Sequence, residues 1–160
     1  MSDVEFTVTL EQQADYRFEV RFDNPLIAPL ITDETAPLGS DAGPNPSRLL
    51  ATAVGNCLAA SLLFAMRKFK NTPEPLRAMA TVRLVRNAEK RLRIGQIAVD
   101  LHLGVAAGEL VQLDRVLAQF EEFCVVTQSV RAGIAVDVRV IDKTGQVLHR
   151  SAPAPAASSG

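Results

Sequence analysis

Hydrophobic and polar residues alternate near the start of the chain, first over residues 6–10 and again over residues 16–22. In the second segment Phe18, Val20 and Phe22 share one face, opposite charged residues. Because successive side chains of a strand point to opposite faces, the two segments predict a β-hairpin. Residues 24–45 are rich in proline and glycine and predict a loop around the core, with room for a short strand over residues 26–31.

An apolar run over residues 49–66 predicts the main helix. Asn45 is typical of an N-cap, and Pro46 of the first helical position. Basic residues near position 68 complement the negative end of the helix dipole, and the prolines that follow predict an end near residue 70. The run approaches the length of a membrane span, but polar residues interrupt it, which favours a helix buried inside a globular protein.

Alternation resumes over residues 76–85 and 91–103, which predicts a second hairpin that turns at residues 87–90. Apolar residues then recur every three to four positions over residues 109–123, which predicts an amphipathic helix, and a short helix over residues 124–131 follows. Residues 134–140 predict a strand, which residues 146–149 would extend or pair with. The composition of residues 151–160 predicts a flexible tail after a single domain of residues 1–150.

The order of these elements does not follow the strict β-α-β alternation of a doubly wound sheet. It predicts an α+β protein with antiparallel sheets packed around the long apolar helix. A helix that is apolar on most of its faces is too hydrophobic for a half-exposed position. We therefore expect a second subunit to cover part of it, in a homodimer.

The charge of the chain is nearly balanced, with 17 Lys and Arg against 18 Asp and Glu and a net charge of −1. Without a basic excess, nucleic acid and anionic membrane surfaces are not expected partners. The first residues are acidic where a secretory signal would be basic and then apolar. This pattern predicts a cytoplasmic protein.

Cys57 and Cys124 are the two cysteines of the chain. A chain of 160 residues needs no disulfide for stability, so redox chemistry is favoured over a structural staple, provided the fold brings the thiols together. Cys57, in the middle of a helix, needs a neighbouring charge to become a thiolate, whereas free N–H groups at a helix start would favour the Cys124 thiolate. Either thiol could be the more acidic. Two alternatives to a redox pair remain: only one of the thiols is reactive, or both are inert packed residues.

Other residues carry weaker signals. His102 and His149 stand apart from any cluster at ligand spacing, so no metal site is expected, and the glycines form no nucleotide-binding pattern. Asn56, Gln128 and Ser129 are candidates to line a site beside the cysteines. Six phenylalanines are core candidates by their spacing, or would line an apolar peroxide pocket in a dimer: Phe18, Phe22, Phe64, Phe69, Phe120 and Phe123.

Two separated motifs carry a resemblance to a known family. The first is GPNPSRLLATAVGNC, in which a proline-led helix contains Cys57. The second is FEEFCVVTQSVRAGIAVDVRV, in which Cys124 opens a segment of the type Cys-Pro-Val-x-x-Ser-Leu-Arg-x-Gly, with Val125 in place of the proline. In this order, and over most of the chain, the motifs resemble the osmotically induced and organic hydroperoxide resistance (OsmC/Ohr) family, in its OsmC-like subgroup.

The resemblance implies an intertwined α+β homodimer with an active site at the subunit interface. It also implies thiol-dependent reduction of organic hydroperoxides in oxidative-stress defence. Cys57 would attack the peroxide oxygen, form a sulfenic acid and release an alcohol, and Cys124 would resolve the sulfenic acid as a disulfide. An external dithiol would then reduce that disulfide, and the cycle uses no metal and no organic cofactor.

Active hydroperoxide reductases of this family typically have a glutamate after the helix-leading proline, where it orients the activating arginine, whereas this chain has Ser47. The resemblance places that arginine in the N-terminal strands, where Arg17 and Arg21 are available, and Arg48 is a further candidate cation. The alternative hypothesis is a noncatalytic OsmC-like dimer that binds a ligand or senses redox state. Thiol reactivity discriminates between the two, because catalysis needs a Cys57 thiolate near neutral pH.

Overall fold

The computed structural model describes residues 3–152 of the chain. Contacts divide the chain into two compact units, the first ending at Leu50 and the second beginning at Ala51. The sequence-based expectation of one domain over residues 1–150 stays a prediction.

The first unit contains a three-stranded antiparallel sheet in the order β1-β2-β3. Strand β1 covers Val8–Ala14, β2 covers Arg17–Phe22 and β3 covers Leu30–Thr32. The first two strands form the predicted hairpin, and the short third strand begins later than the residues 26–31 suggested for it. All seven residues of β1 are exposed within the single chain.

Helix α1 covers Pro46–Lys68 and follows the predicted cap. The side-chain oxygen of Asn45 accepts a hydrogen bond of 3.0 Å from the backbone N–H of Arg48, which satisfies one of the free donors at the helix start. Arg67 and Lys68 occupy the last turn. The helix is long and apolar enough to cross a membrane by composition, but it also buries one face inside the folded chain. That face consists of Ala51, Val54, Gly55, Leu58, Ser61, Leu62, Ala65 and Met66.

The second unit contains a four-stranded sheet in the order β4-β5-β6-β7. Its strands are β4 (Arg77–Arg86), β5 (Leu92–His102), β6 (Ala135–Ile141) and β7 (Val147–Ser151). The β4–β5 and β6–β7 pairs are antiparallel, whereas β5 and β6 run parallel. The sheet is therefore mixed and not purely antiparallel as predicted. The reason is the long helical connection between β5 and β6. It returns the chain to the end of the sheet where β5 begins, so that β6 runs in the same direction as β5.

The core of the second unit lies between α1 and one face of this sheet. Alternate residues of β5 and β6 are buried, and Leu58 and Leu62 of α1 are fully inaccessible. A Cβ placed on Gly55 would lie 3.4 Å from the Cβ of Ala80, so the helix approaches β4 closely at this point. Burial of each large apolar side chain contributes about 1.5–3 kcal/mol. The buried strand residues are Ile97, Val99, Leu101, Val136, Val138 and Val140.

The predicted helix over residues 109–123 is wrong as a single element. The chain instead forms a 3-10 turn at Ala107–Glu109, helix α2 at Leu113–Leu117 and a second 3-10 turn at Phe120–Phe123. Asn71 explains the first break, because its side chain donates to the carbonyl of Val111 and accepts from the N–H of the same residue. A helix would need those backbone groups for itself. Helix α3 follows at Val125–Val130.

Two smaller expectations also need correction. Phe64 and Phe123 are 57% and 43% exposed within the single chain, so they are not core residues of it, whereas Phe120 is fully buried. Ser151 belongs to β7, although a flexible tail was predicted from that position. The rest of that predicted tail, residues 153–160, lies outside the described residues. The α+β class with a central helix is confirmed.

Candidate redox site

The second unit brings the two cysteines together. Cys57 is half-buried on α1, and Cys124 is fully buried at the N-cap of α3. Both are free thiols, and the Cys57 side chain is close enough to Cys124 to contribute to the shift in its pKa. The fold therefore meets the geometric condition for a dithiol pair.

Burial raises the pKa of the Cys124 thiol above its ordinary value, and the neighbouring Cys57 side chain acts in the same direction. Thr127 acts in the opposite direction, but its effect is smaller. In the reduced protein the Cys124 thiol donates to Oγ1 of Thr127 at 3.0 Å. The expectation that a helix start would favour the Cys124 thiolate is thus wrong, because α3 has only six residues and burial outweighs its few N–H groups.

An aromatic pair joins α1 to the residue that precedes Cys124. Phe123, which directly precedes Cys124, contacts Phe64 of α1 edge to face with ring centroids 5.4 Å apart. The Lys68 Nζ lies 5.9 Å from the centre of the Phe123 ring. Since both rings are partly exposed, they form an apolar patch on the surface of the single chain.

Glu121 lies one turn before Cys124, and its side chain is buried. Its carboxylate forms an ion pair with Arg131 and accepts hydrogen bonds from Nε2 of His149 at 2.7 Å and from Oγ of Ser151 at 3.1 Å. Burial acts to raise the pKa of Glu121, but the hydrogen bonds from His149, Arg131 and Ser151 outweigh it and lower this pKa from 4.5 to about 2. The carboxylate therefore only accepts, and Nε2 of His149 carries the proton between them.

Several side chains predicted for the site lie elsewhere or have local partners. Asn56 is exposed beside Cys57 on α1. Gln128 donates to the backbone carbonyl of Glu121 at 3.1 Å, and Ser129 donates to the carbonyl of Val125 at 2.7 Å. These two polar residues of α3 thus use their donors on neighbouring backbone.

The first unit holds the candidate arginines, and Arg17 has the more constrained setting. Its Nη2 donates to Oγ of Ser40 at 2.9 Å, and Ser40 in turn donates to Oδ2 of Asp33 at 2.7 Å. The Ser40 hydroxyl, together with backbone N–H groups, lowers the pKa of the buried Asp33 to about 2. Among the described residues, the buried Nε of Arg17 has no hydrogen-bond partner.

The remaining candidates for cations and polar groups are more exposed or already paired. Arg21 pairs with Glu19 of its own strand, and more than half of its side chain is exposed. Ser47 and Arg48 occupy the first turn of α1, where Ser47 is half-buried and Arg48 is exposed and has an interaction partner.

Sequence reasoning missed three residues that the structure places in buried polar networks. Glu121 fell on the polar side of a predicted helix, His149 ended a predicted strand segment near the tail, and Asp33 lay in a loop. Glu121 and His149 contact each other from distant parts of the sequence, and Asp33 contacts Ser40 across a loop without periodicity, so local pattern gave no signal for them. The one available hint was charge, since Glu121 and Arg131 lie either side of the second cysteine.

A metal site and a ligand cavity are two further kinds of site that a folded chain can offer. Over residues 3–152, no three His, Cys, Asp or Glu side chains are grouped so that they could hold a metal ion. A cavity of about 420 Å³ lies on the four-stranded sheet, with Thr81, Asp100, Arg139 and Arg150 in its lining. Neither cysteine lines this cavity.

Comparison with known proteins identifies the family. The fold matches an organic hydroperoxide resistance protein OsmC of Legionella pneumophila (20% identity, TM-score 0.64, 86% of this chain and 98% of that chain). It also matches the organic hydroperoxide resistance protein OhrB of Bacillus subtilis (16%, 0.63, 86% and 98%) and an OsmC-like protein of Mycoplasma pneumoniae (14%, 0.70, 88% and 99%). No curated protein matches the sequence. The OsmC-like protein family model matches residues 39–139, so the chain belongs to that family.

Proposed function

We propose that the protein reduces organic hydroperoxides through a dithiol cycle of Cys57 and Cys124. The observation that carries the proposal is the juxtaposition of the only two thiols of the chain, which come from distant parts of the sequence. Two neighbouring free cysteines can give up two electrons to an oxidant and form a disulfide. The similarity in fold to proteins named for organic hydroperoxide resistance indicates the oxidant.

The settings of the two thiols support different roles for them. Cys124 is buried and its pKa is raised, so it is a neutral thiol near pH 7 and a poor first nucleophile. Cys57 is the more accessible of the two. We therefore assign the attack on peroxide to Cys57 and the resolving step to Cys124.

The proposed cycle has three steps. The Cys57 thiolate attacks one peroxide oxygen, the O–O bond breaks, and the leaving alkoxide takes a proton to become an alcohol. The Cys124 sulfur then displaces the hydroxyl of the Cys57 sulfenic acid, which gives a disulfide and water. An external dithiol reduces that disulfide by thiol–disulfide exchange and is itself oxidised.

We propose Arg17, in preference to Arg21 or Arg48, as the cation that activates the reacting thiol. A buried N–H without an acceptor costs about 1–3 kcal/mol, so the unpaired Nε of Arg17 is suited to an anionic sulfur or a peroxide oxygen. The Ser40–Asp33 chain holds its other nitrogen in place. Arg21 lacks this setting because Glu19 already neutralises it at the surface.

The proposed working form is a homodimer in the cytoplasm. Within the single chain, large apolar side chains stay exposed on β1, on α1 and on β4, including Leu10, Phe64 and Leu84. Such surface usually marks an interface. Light scattering after size-exclusion chromatography should give a mass near twice the 17.3 kDa of one chain. A mass of one chain at micromolar concentration would contradict the dimer.

The function is tested by peroxide turnover with a small dithiol as reductant. We expect the wild type to consume cumene hydroperoxide, and Cys57→Ser to lose this activity by at least about 100-fold, because the nucleophile is gone. Cys124→Ser should reduce about one equivalent of peroxide quickly and then depend on the external thiol. A wild type that is no faster than Cys57→Ser would instead favour the noncatalytic binding or sensing dimer, which the presence of Ser47 suggested.

A further inference from the structure

The backbone carbonyl of Glu121 is hydrogen-bonded to the segment that carries Cys124. This carbonyl accepts the N–H of Cys124 at 3.0 Å. It also accepts Nε2 of Gln128, one turn into α3. The start of α3 is therefore organised around one residue, and the Cys124 side chain itself does not cap the helix.

The carboxylate of Glu121 joins this segment to more distant parts of the fold. Arg131 follows the end of α3, and His149 and Ser151 belong to β7. The ring of His149 also packs edge to face on Phe120, with centroids 5.3 Å apart, so its orientation is fixed from a second side. Hydrogen bonds to a buried charge are shorter and stronger than neutral ones, which makes this a firm anchor.

Disulfide formation depends on such an anchor more than peroxide attack does. The two sulfurs must close to about 2.05 Å with a specific torsion, so the position of the Cys124 backbone limits the step. The first step requires only Cys57 and the peroxide. An error of about 1 Å in the placement of a reacting group can cost about 100-fold in rate.

We propose that Glu121, held by Arg131, His149 and Ser151, is a positioning residue that keeps Cys124 opposite Cys57 and so sets the rate of disulfide formation. This inference rests on the proposed dithiol cycle. The inference predicts different effects on the two steps. Loss of the Glu121 contacts slows disulfide formation and leaves the attack of Cys57 on peroxide unchanged.

The test is a single-turnover measurement on the full chain with cumene hydroperoxide. Glu121→Gln keeps the shape of the side chain but removes its charge, and Glu122→Gln, at the exposed neighbouring position, is the matched control. We expect Glu121→Gln to form the Cys57 sulfenic acid within about twofold of the wild-type rate and the disulfide about 10-fold or more slowly. A dimedone trap should then capture more sulfenic acid in this variant than in Glu122→Gln.

A second variant covers the case in which Glu121→Gln does not fold. His149→Phe keeps an aromatic ring against Phe120 and removes the donor to Glu121, so it should show a smaller delay in the same step. Equal slowing of both steps, or an unchanged disulfide rate in either folded variant, would overturn the inference. A wild type that forms no disulfide would overturn the proposed function as well, so the two failures are distinguishable.

Discussion

The two cysteines meet in space but are supported in opposite ways. Cys57 belongs to a continuous helix of 23 residues, whose hydrogen bonds and buried face hold it in place. Cys124 lies on a short irregular segment between a 3-10 turn and a six-residue helix. Its position depends on side-chain contacts with Thr127 and on the carbonyl of Glu121.

This difference indicates how a dithiol site can divide its work. The rigid, accessible thiol is suited to meet a substrate, and the buried thiol with a raised pKa is suited to wait until an electrophilic sulfur forms beside it. Each cysteine can therefore be perturbed separately. Changes at Arg17, Glu121 and Thr127 should each affect mainly one of the two cysteines.

The largest effect should come from Arg17, the proposed activating cation. Arg17→Ala removes a charged donor, and loss of a hydrogen bond to a charged group costs about 1.5–3 kcal/mol, or about 10–100-fold in the rate of peroxide attack. Arg21→Ala, from the same strand, should change the rate by less than about twofold, because that side chain is exposed and paired. Stopped-flow measurement of sulfenic acid formation checks both. Equal losses in the two variants would remove the assignment of Arg17.

Acid should weaken the surroundings of Cys124. The pKa of Glu121 is lowered from 4.5 to about 2 in the folded chain, so its stabilisation is present above pH 4.5 and is lost as the pH falls towards 2. Between about pH 6 and pH 3 the wild type should lose about 2 kcal/mol more of its free energy of unfolding than Glu121→Gln does. Urea unfolding at the two pH values measures this difference. Parallel pH dependence in the two proteins would contradict the buried ion pair.

The smallest effect should come from Thr127, which contacts only the Cys124 side of the pair. Thr127→Val keeps the shape and removes the hydroxyl that accepts from the Cys124 thiol, at a cost of about 1 kcal/mol in stability. The pKa of Cys124 should rise further, because the Thr127 hydroxyl can rotate to donate to the thiolate and so lowers this pKa in the wild type. The pH dependence of Cys124 alkylation reports the change, with Ser129→Ala of the same helix as control. A lowered pKa would contradict this role.

The helix and most strands could be predicted from the sequence because their signals are local. The Asn45 cap, the apolar run of α1 and the alternation in β2 and β5 each specify structure within a few residues. The segment before Cys124 could not be predicted in the same way. Its apolar spacing indicated one helix, but Asn71, far away in sequence, occupies the backbone groups of Val111 and breaks it.

The candidate site could likewise be predicted only in part. The two cysteines could be found from their motifs, since each motif lies within one stretch of chain. Their proximity, the burial that raises the pKa of Cys124, and the Glu121 network depend on long-range packing. The preference for Arg17 over Arg21 also required the fold, because both stand on the charged face of one strand and differ only in their partners.

The central claim is that Cys57 and Cys124 form a working redox pair. It is tested most directly by mass spectrometry of the reduced protein before and after one equivalent of cumene hydroperoxide, with Cys57→Ser and Cys124→Ser in parallel. We predict that the wild type loses both thiols and gains one intramolecular disulfide. Cys57→Ser should keep its thiol, and Cys124→Ser should stop at a sulfenic acid. Thiols that stay reduced in the wild type under excess peroxide would contradict the claim.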